Sequence, residues 1–253
     1  MLFNVKKLRG CHLQGRDGTL GEMKEFYFDD QHWAVRYLVA DTGTWLTDRA
    51  VLISPYALSE VNLEARIIAV DLTKQQIEDS PSLDTDVPVS RQFERAYYGH
   101  YAWPTYWDGP YMWGMYPTLE RDPGKWGVRT DDSHMQDPHL RSTHDVTGHH
   151  IQALDGEIGH VEDFIVDDET WALRYLVVNT SNWWPGKKVL VSAAWIDSVS
   201  WSEGKVMTSL SRSAIQLAPE YVGGTSPTRP EEVVLHRHYD RPYYWTTALL
   251  AKS

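Results

Sequence analysis

Residues 29–39 read DDQHWAVRYLV, and 138 positions further on residues 167–177 read DDETWALRYLV. The match is not local. Residues 10–107 lie over 148–245 without a gap, pairing Gly10 with Gly148, Gly21 with Gly159, Trp33 with Trp171, and Arg36-Tyr37-Leu38-Val39 with Arg174-Tyr175-Leu176-Val177. Downstream, Trp45 pairs with Trp183, Ile77 with Ile215, Pro81 with Pro219 and Tyr106-Trp107 with Tyr244-Trp245. A constant offset over that length means that one folding module was duplicated. A solenoid would instead show many short periods.

Each copy reads as β. In the second, Val161–Val166 and Ala172–Val178 are rich in β-branched and aromatic residues, with an Asp-rich turn between them. A third strand is expected at Lys188–Ser192, after the Pro185-Gly186 loop, and a hairpin around Glu203-Gly204. A short helix, capped by Ser211 and stopped at Pro219, closes the copy; Thr73 and Gln76 can form a capping box at the same place in the first. Short strands with turn signals every 8–12 residues suggest a small barrel with a terminal helix. Closing the sheet would remove its exposed edges.

The stretch DGEIGHVEDFIVDD…WALRYLVV, followed by KKVLVSAAWI and LSRSAIQLAPEY, resembles the PRC-barrel. That domain is shared by the cytoplasmic part of the photosynthetic reaction centre H subunit and by a ribosome-maturation factor. The likeness covers Gly10–Leu83 and Gly148–Tyr221. It implies an all-β chain of two small PRC-like β-barrels, each with a short C-terminal helix, in a pseudo-twofold tandem arrangement. The expected division is a first barrel over residues 1–83, an aromatic and His-rich linker over 84–147, a second barrel over 148–221 and a tail over 222–253. The resemblance also implies a docking module for larger assemblies, with no catalytic residue set to carry over. The membrane helix of the reaction-centre subunit is not expected here, and a second barrel replaces the unrelated N-terminal domain of the ribosome factor.

Composition narrows the partners. A formal net charge of −11 argues against an unspecific grip on nucleic acid or on an anionic membrane surface. Cys11 is the only cysteine, so neither an internal disulfide nor a thiolate metal cage can form. No secretory signal and no run of about 18 apolar residues is seen, so a cytoplasmic protein without a membrane span is expected.

Three stretches could carry chemistry. In residues 97–127, 10 of 31 positions are Tyr or Trp. Such rings either cover core or form an interface. The portion repeated in the second copy (Tyr101, Pro104 and Trp107, matched by Tyr239, Pro242 and Trp245) is expected to pack the repeats together. Tyr111, Trp113, Tyr116 and Trp126 are the expected partner-binding residues. The histidines His134, His139, His144, His149 and His150, with Asp137 or Asp145, lack the spacing of a metal motif, and Pro138 interrupts any helix; no metal or cofactor is expected. The pairs Asp29-Asp30 and Asp167-Asp168 read as turn residues rather than an acid–base dyad, and Arg36 and Arg174 are expected to pair with a turn Asp of their own copy or to face solvent. Cys11 reads as a small apolar filler. No GxSxG, GxxxxGK[ST] or HExxH motif occurs. The expectation is a non-enzymatic adaptor that docks a protein partner, of a membrane-associated or photosynthetic electron-transfer assembly by analogy, and a homodimer is compatible with it. The alternative is a small-molecule or metal-sensing module using a cleft between the barrels.

Overall fold

The computed structural model describes residues 1–46, 51–81, 89–107, 112, 117–126, 140–180 and 186–246. In chain order, β1 (Leu2–Asn4) and α1 (Val5–Leu8) come first. Next are β2 (His12–Gly15), β3 (Gly18–Asp29), β4 (Ala34–Asp41), β5 (Val51–Ile53), β6 (Leu58–Asn62), β7 (Ile67–Val70), α2 (Lys74–Glu78) and α3 (Arg91–His100). The second copy runs β8 (Leu140–Ser142), α4 (Thr143–Val146), β9 (His150–Ala153), β10 (Gly156–Asp167), β11 (Leu173–Asn179), β12 (Lys188–Ser192), β13 (Ile196–Ser200), β14 (Lys205–Thr208), α5 (Arg212–Leu217) and α6 (Arg229–His238). The chain is therefore mainly β. Strand β12, the hairpin of β13 and β14, and the Ser211 cap of α5 stand where the sequence placed them. The capping box of Thr73 with Gln76 is formed as well.

The chain divides into two compact units. The first holds Lys7–Ser142 and Asp168–Ala172; the second holds Met1–Lys6, Thr143–Asp167 and Leu173–Ser253. Each contains a seven-stranded sheet with the same topology, β5-β4-β3-β2-β7-β6 in the first and β12-β11-β10-β9-β14-β13 in the second. Pairing is antiparallel except for β2 with β7 and β9 with β14. Among the described residues the order is open, with β5 and β6 at the two ends of the first sheet. The pairings therefore give two sheets; a closed ring is not among them.

The seventh strand of each sheet comes from outside the repeat that builds it. β1, which precedes the first copy, pairs with β10, placing Phe3 opposite Val166; β8, which precedes the second copy, pairs with β3, placing Arg141 opposite Phe28. The offset of 138 thus reaches back to Leu2 and Leu140, beyond the Gly10 and Gly148 at which side-chain identity begins. Buried polar groups fix both strands. Asn4 donates to Asp163 Oδ2 at 3.0 Å and accepts from the Tyr221 hydroxyl at 2.9 Å. At the matching positions Ser142 donates to Glu25.

Two local constraints explain why the repeated residues recur. Gly21 and Gly159 lie in left-handed backbone, and a Cβ on either would stand 2.1 Å from the carbonyl oxygen of Asp41 or Asn179, so only glycine lets the strands approach there. Trp33 and Trp171 also have positive φ, 54° and 56°. A tryptophan holds that conformation only when its ring is well buried. Trp171 is, edge-on to Phe26 at 5.7 Å, and Trp33 stacks on Phe28 at 5.3 Å.

Replacing Asn4 by Ala removes one of the donors to the buried Asp163 carboxylate, which keeps the Lys6 amide, and is expected to cost about 1 kcal/mol. Hydrogen exchange should quicken at Phe3 and Val166 and stay unchanged at Phe28. Faster exchange at Phe28 instead would contradict the pairing.

Candidate functional site

The polar chemistry of both units is concentrated where the tail helix meets the sheet. In the first unit the Tyr37 hydroxyl donates to Glu94 Oε1 at 2.9 Å, and the Tyr106 hydroxyl donates to the same oxygen at 2.9 Å. Arg91, one turn before Glu94 on α3, donates to Oε2 at 2.9 Å and lies 4.0 Å over the Trp107 ring. Arg36, next to Tyr37 on β4, pairs with Asp29 at 3.0 Å, covers the Tyr106 ring at 4.0 Å and donates to the Met112 carbonyl. The second unit repeats this with Tyr175 and Tyr244 on Glu232 at 2.8 and 2.9 Å, and Arg229 on Glu232 at 2.9 Å. Arg174 again pairs with its own turn carboxylate, Asp167, at 2.9 Å and covers Tyr244 at 4.3 Å.

Burial dominates the electrostatics. It pushes the Glu94 carboxyl up to about 7, against the pull of Arg91 and of the Tyr106 and Tyr37 hydrogen bonds. Glu232 moves up for the same reason, opposed by Tyr175, Tyr244 and Arg229. His236, which stands where the first copy has Tyr98, is pushed down by burial. Asp29 behaves differently: burial raises it, but the His32 hydrogen bond and Arg36 together outweigh that and hold it below the usual carboxylate range. Its Oδ1 also accepts from the Gln31 and His32 amides, which are the turn bonds expected of an Asp at this place. Neither carboxylate of the twin cluster reaches solvent, Glu94 being 0% and Glu232 2% exposed. The clusters attach each tail to its sheet and present no reacting group to a substrate.

The aromatic stretch belongs to the same interior. Tyr97, Tyr98, Tyr106 and Trp107 are buried against Tyr37, Val39 and Leu52 of their own sheet. Half-buried Tyr101 packs on Tyr97 at 5.0 Å, and Pro104 is half-buried. In the second unit Tyr239 lies 4.8 Å from Trp195, Trp245 5.4 Å from His236, and Pro242 accepts from His236 while remaining exposed. All these contacts are within the unit that carries the residue. Trp126, the one expected partner-binding residue that is described, is half-buried, donates to the Glu120 carbonyl at 2.9 Å and meets Tyr56 edge-on. Tyr111, Trp113 and Tyr116 lie outside the described residues, as do Asp137, His134 and His139. No group of three or more metal-ligating side chains occurs among the described residues. Cys11 is fully buried.

The surface distinguishes the copies. Leu154, Leu217 and Val222 of the second unit are exposed at 73%, 73% and 70%. Counting back 138 positions, the sequence of the first copy has Arg16, Asp79 and Asp84, the last of which lies outside the described residues. The three apolar residues follow one path: the Leu154 amide donates to Leu210 just before α5, Leu217 is the last residue of α5, and Val222 follows Tyr221, whose amide donates to Lys188. Lys187 reaches the Ala218 carbonyl from the same side at 2.5 Å. Sequence reading missed this face because it compared the copies for likeness. It also missed Glu94 and Glu232, although the offset that aligned Tyr37 with Tyr175 aligns them equally.

No helix among the described residues is long and apolar enough to cross a membrane. In comparison with known proteins, no family model and no curated protein matches this chain.

Glu94 yields a pH prediction. Its folded pKa lies above its unfolded value, so the stability it contributes is complete below about pH 4 and is lost as the pH rises towards 7. Measured against Glu94→Gln in urea titrations, the wild type should lose on the order of 3 kcal/mol across that window. Parallel profiles would show that Glu94 is not held as described.

Proposed function

We propose that the chain is a non-enzymatic docking module made by duplicating a PRC-like barrel, and that it binds its protein partner through the face along α5 of the second unit. The observation that carries this reading is the exchange of charge for exposed apolar surface at Leu154 and Leu217, where Arg16 and Asp79 stand in the other copy. Leu154, which bonds to Leu210 before α5, and Leu217, which ends α5, put exposed apolar side chains at both ends of one short helix, and apolar surface left to solvent is what an interaction site uses. The buried Glu94 and Glu232 carboxylates support the non-enzymatic part, because both are used to hold hydroxyls and an arginine of their own unit. Family likeness in the repeated phrase supports a cytoplasmic partner surface of a membrane-associated or electron-transfer assembly. The net charge of −11 favours a protein over a nucleic acid.

The test restores the first copy's residues in the second, as Leu154→Arg with Leu217→Asp. Both side chains are exposed, so the fold should survive, as circular dichroism would check. A partner co-purifying from the soluble or the detergent-solubilised membrane fraction of the native host should be retained by the wild type and weakened about tenfold or more in the variant. Equal retention by both would overturn the assignment of this face.

A further inference from the structure

The first unit contains a cavity of about 360 Å³ where the loop before β6, the β7–α2 connection and the end of α3 converge. That volume falls within the range of small-ligand pockets, roughly 300–1,000 Å³. One wall is a stack of rings: Tyr101 lies 4.4 Å from Trp103 at 15°, and Trp103 lies 5.9 Å from Tyr56 at 29°. The turn that aims Tyr101 and Trp103 into one wall passes through Ala102 at a φ of 54°, a conformation that costs an alanine about 1 kcal/mol. Asp71 and Asp79 also line it, together with Arg16 and His100. Asp71 is already compensated, by Arg16 at 2.5 Å and by the nearby charge of Arg121. Asp79 takes its side-chain hydrogen bonds from the neutral Gln75 amide and forms no ion pair among the described residues.

The second copy has dismantled the same place. Asp79 becomes Leu217, Asp71 becomes Ser209, Tyr56 becomes Ala194 and Trp103 becomes Arg241, while Ala57 becomes Trp195, buried beside Tyr239. At these positions both carboxylates and two of the three rings are lost, a positive charge stands where a ring was, Ala102 becomes Asp240 and Arg16 becomes Leu154, so the lining of the first unit is not reproduced in the second. Electron-rich ring faces with an uncompensated carboxylate are the recognition chemistry of organic cations.

We propose that this cavity binds an organic cation, an ammonium or guanidinium group on a short apolar body, and that the site is retained only in the first unit. Such a group enters along the Tyr101–Trp103 wall and places its charge towards Asp79. A free amine and a Lys or Arg side chain offered by a peptide share this chemistry.

The test is a titration of the full chain, observed through the amide and indole resonances of Tyr101 and Trp103 in heteronuclear NMR. The probes are choline, agmatine and the peptide acetyl-Gly-Arg-Gly-amide, with sodium chloride matched for ionic strength. Saturable shifts with choline or agmatine identify a small-molecule site, and saturation by the peptide alone identifies a side-chain site. Asp79→Asn should weaken either by about tenfold. Asp197→Asn, which removes one exposed carboxylate of the second unit, should leave binding unchanged. Trp103→Ala should abolish it, with the spectrum of the β3 and β4 amides reporting that the fold is intact. No saturable shift at millimolar concentration of any probe, or equal weakening by Asp79→Asn and Asp197→Asn, would overturn the proposal.

Discussion

A carboxylate placed out of reach of water is costly unless its lone pairs are taken up by donors. Both units accept that cost at the same point, where Glu94 or Glu232 of the tail helix receives two tyrosine hydroxyls and an arginine. The attachment of each tail to its sheet hinges on this contact. One tyrosine comes from the central β4 or β11 strand and the other from the segment after the helix, so a single buried carboxylate ties three stretches of chain together. The neighbouring arginine, Arg36 or Arg174, is then held between its turn carboxylate and the second tyrosine ring. Removing either glutamate would take away the one acceptor shared by two tyrosine hydroxyls and an arginine, which accounts for the repetition of these positions in both copies.

With the interior cluster shared, the differences between the copies fall on the surface. Around α2 the first unit has charges, rings and a cavity; around α5 the second has exposed Leu154 and Leu217 and a buried Trp195. Duplication commonly frees one copy to change its outer chemistry while the packing that defines the fold is retained. Here the same pair of positions, occupied by Arg16 and Asp79 or by Leu154 and Leu217, separates a polar pocket from an apolar face. The two proposed activities, cation binding and docking, are consequences of a single divergence.

The sequence revealed the duplication and the β character because period and turn chemistry are local properties. β12, the β13–β14 hairpin and both helix caps could be placed to within a residue or two for that reason. It could not reveal that β1 joins β10 and β8 joins β3, since a three-residue strand has too few side chains to specify a distant partner. Pairing of Arg36 and Arg174 with a turn carboxylate of their own copy was one of the two readings the sequence left open, beside exposure to solvent, and the structure shows it with Asp29 and Asp167. The role of Glu94 was not legible. Its tyrosine partner Tyr37 lies 57 residues away, and a glutamate on an amphipathic helix ordinarily faces water. Aromatic residues were expected to be divided between interface and core; where described, those of 97–107 are largely core, because tyrosines whose hydroxyls find acceptors can be buried whole.

Tyr37 and Glu94 must act as one unit if they fasten the tail to the sheet. A double-mutant cycle on the stability of the full chain, with Tyr37→Phe, Glu94→Gln and their combination, tests this most directly. A coupling of about 1–3 kcal/mol is expected, because the charge-assisted hydroxyl–carboxylate bond is present only when both native groups are. Additive effects would contradict it, and would mean that the tail is held by ring packing alone.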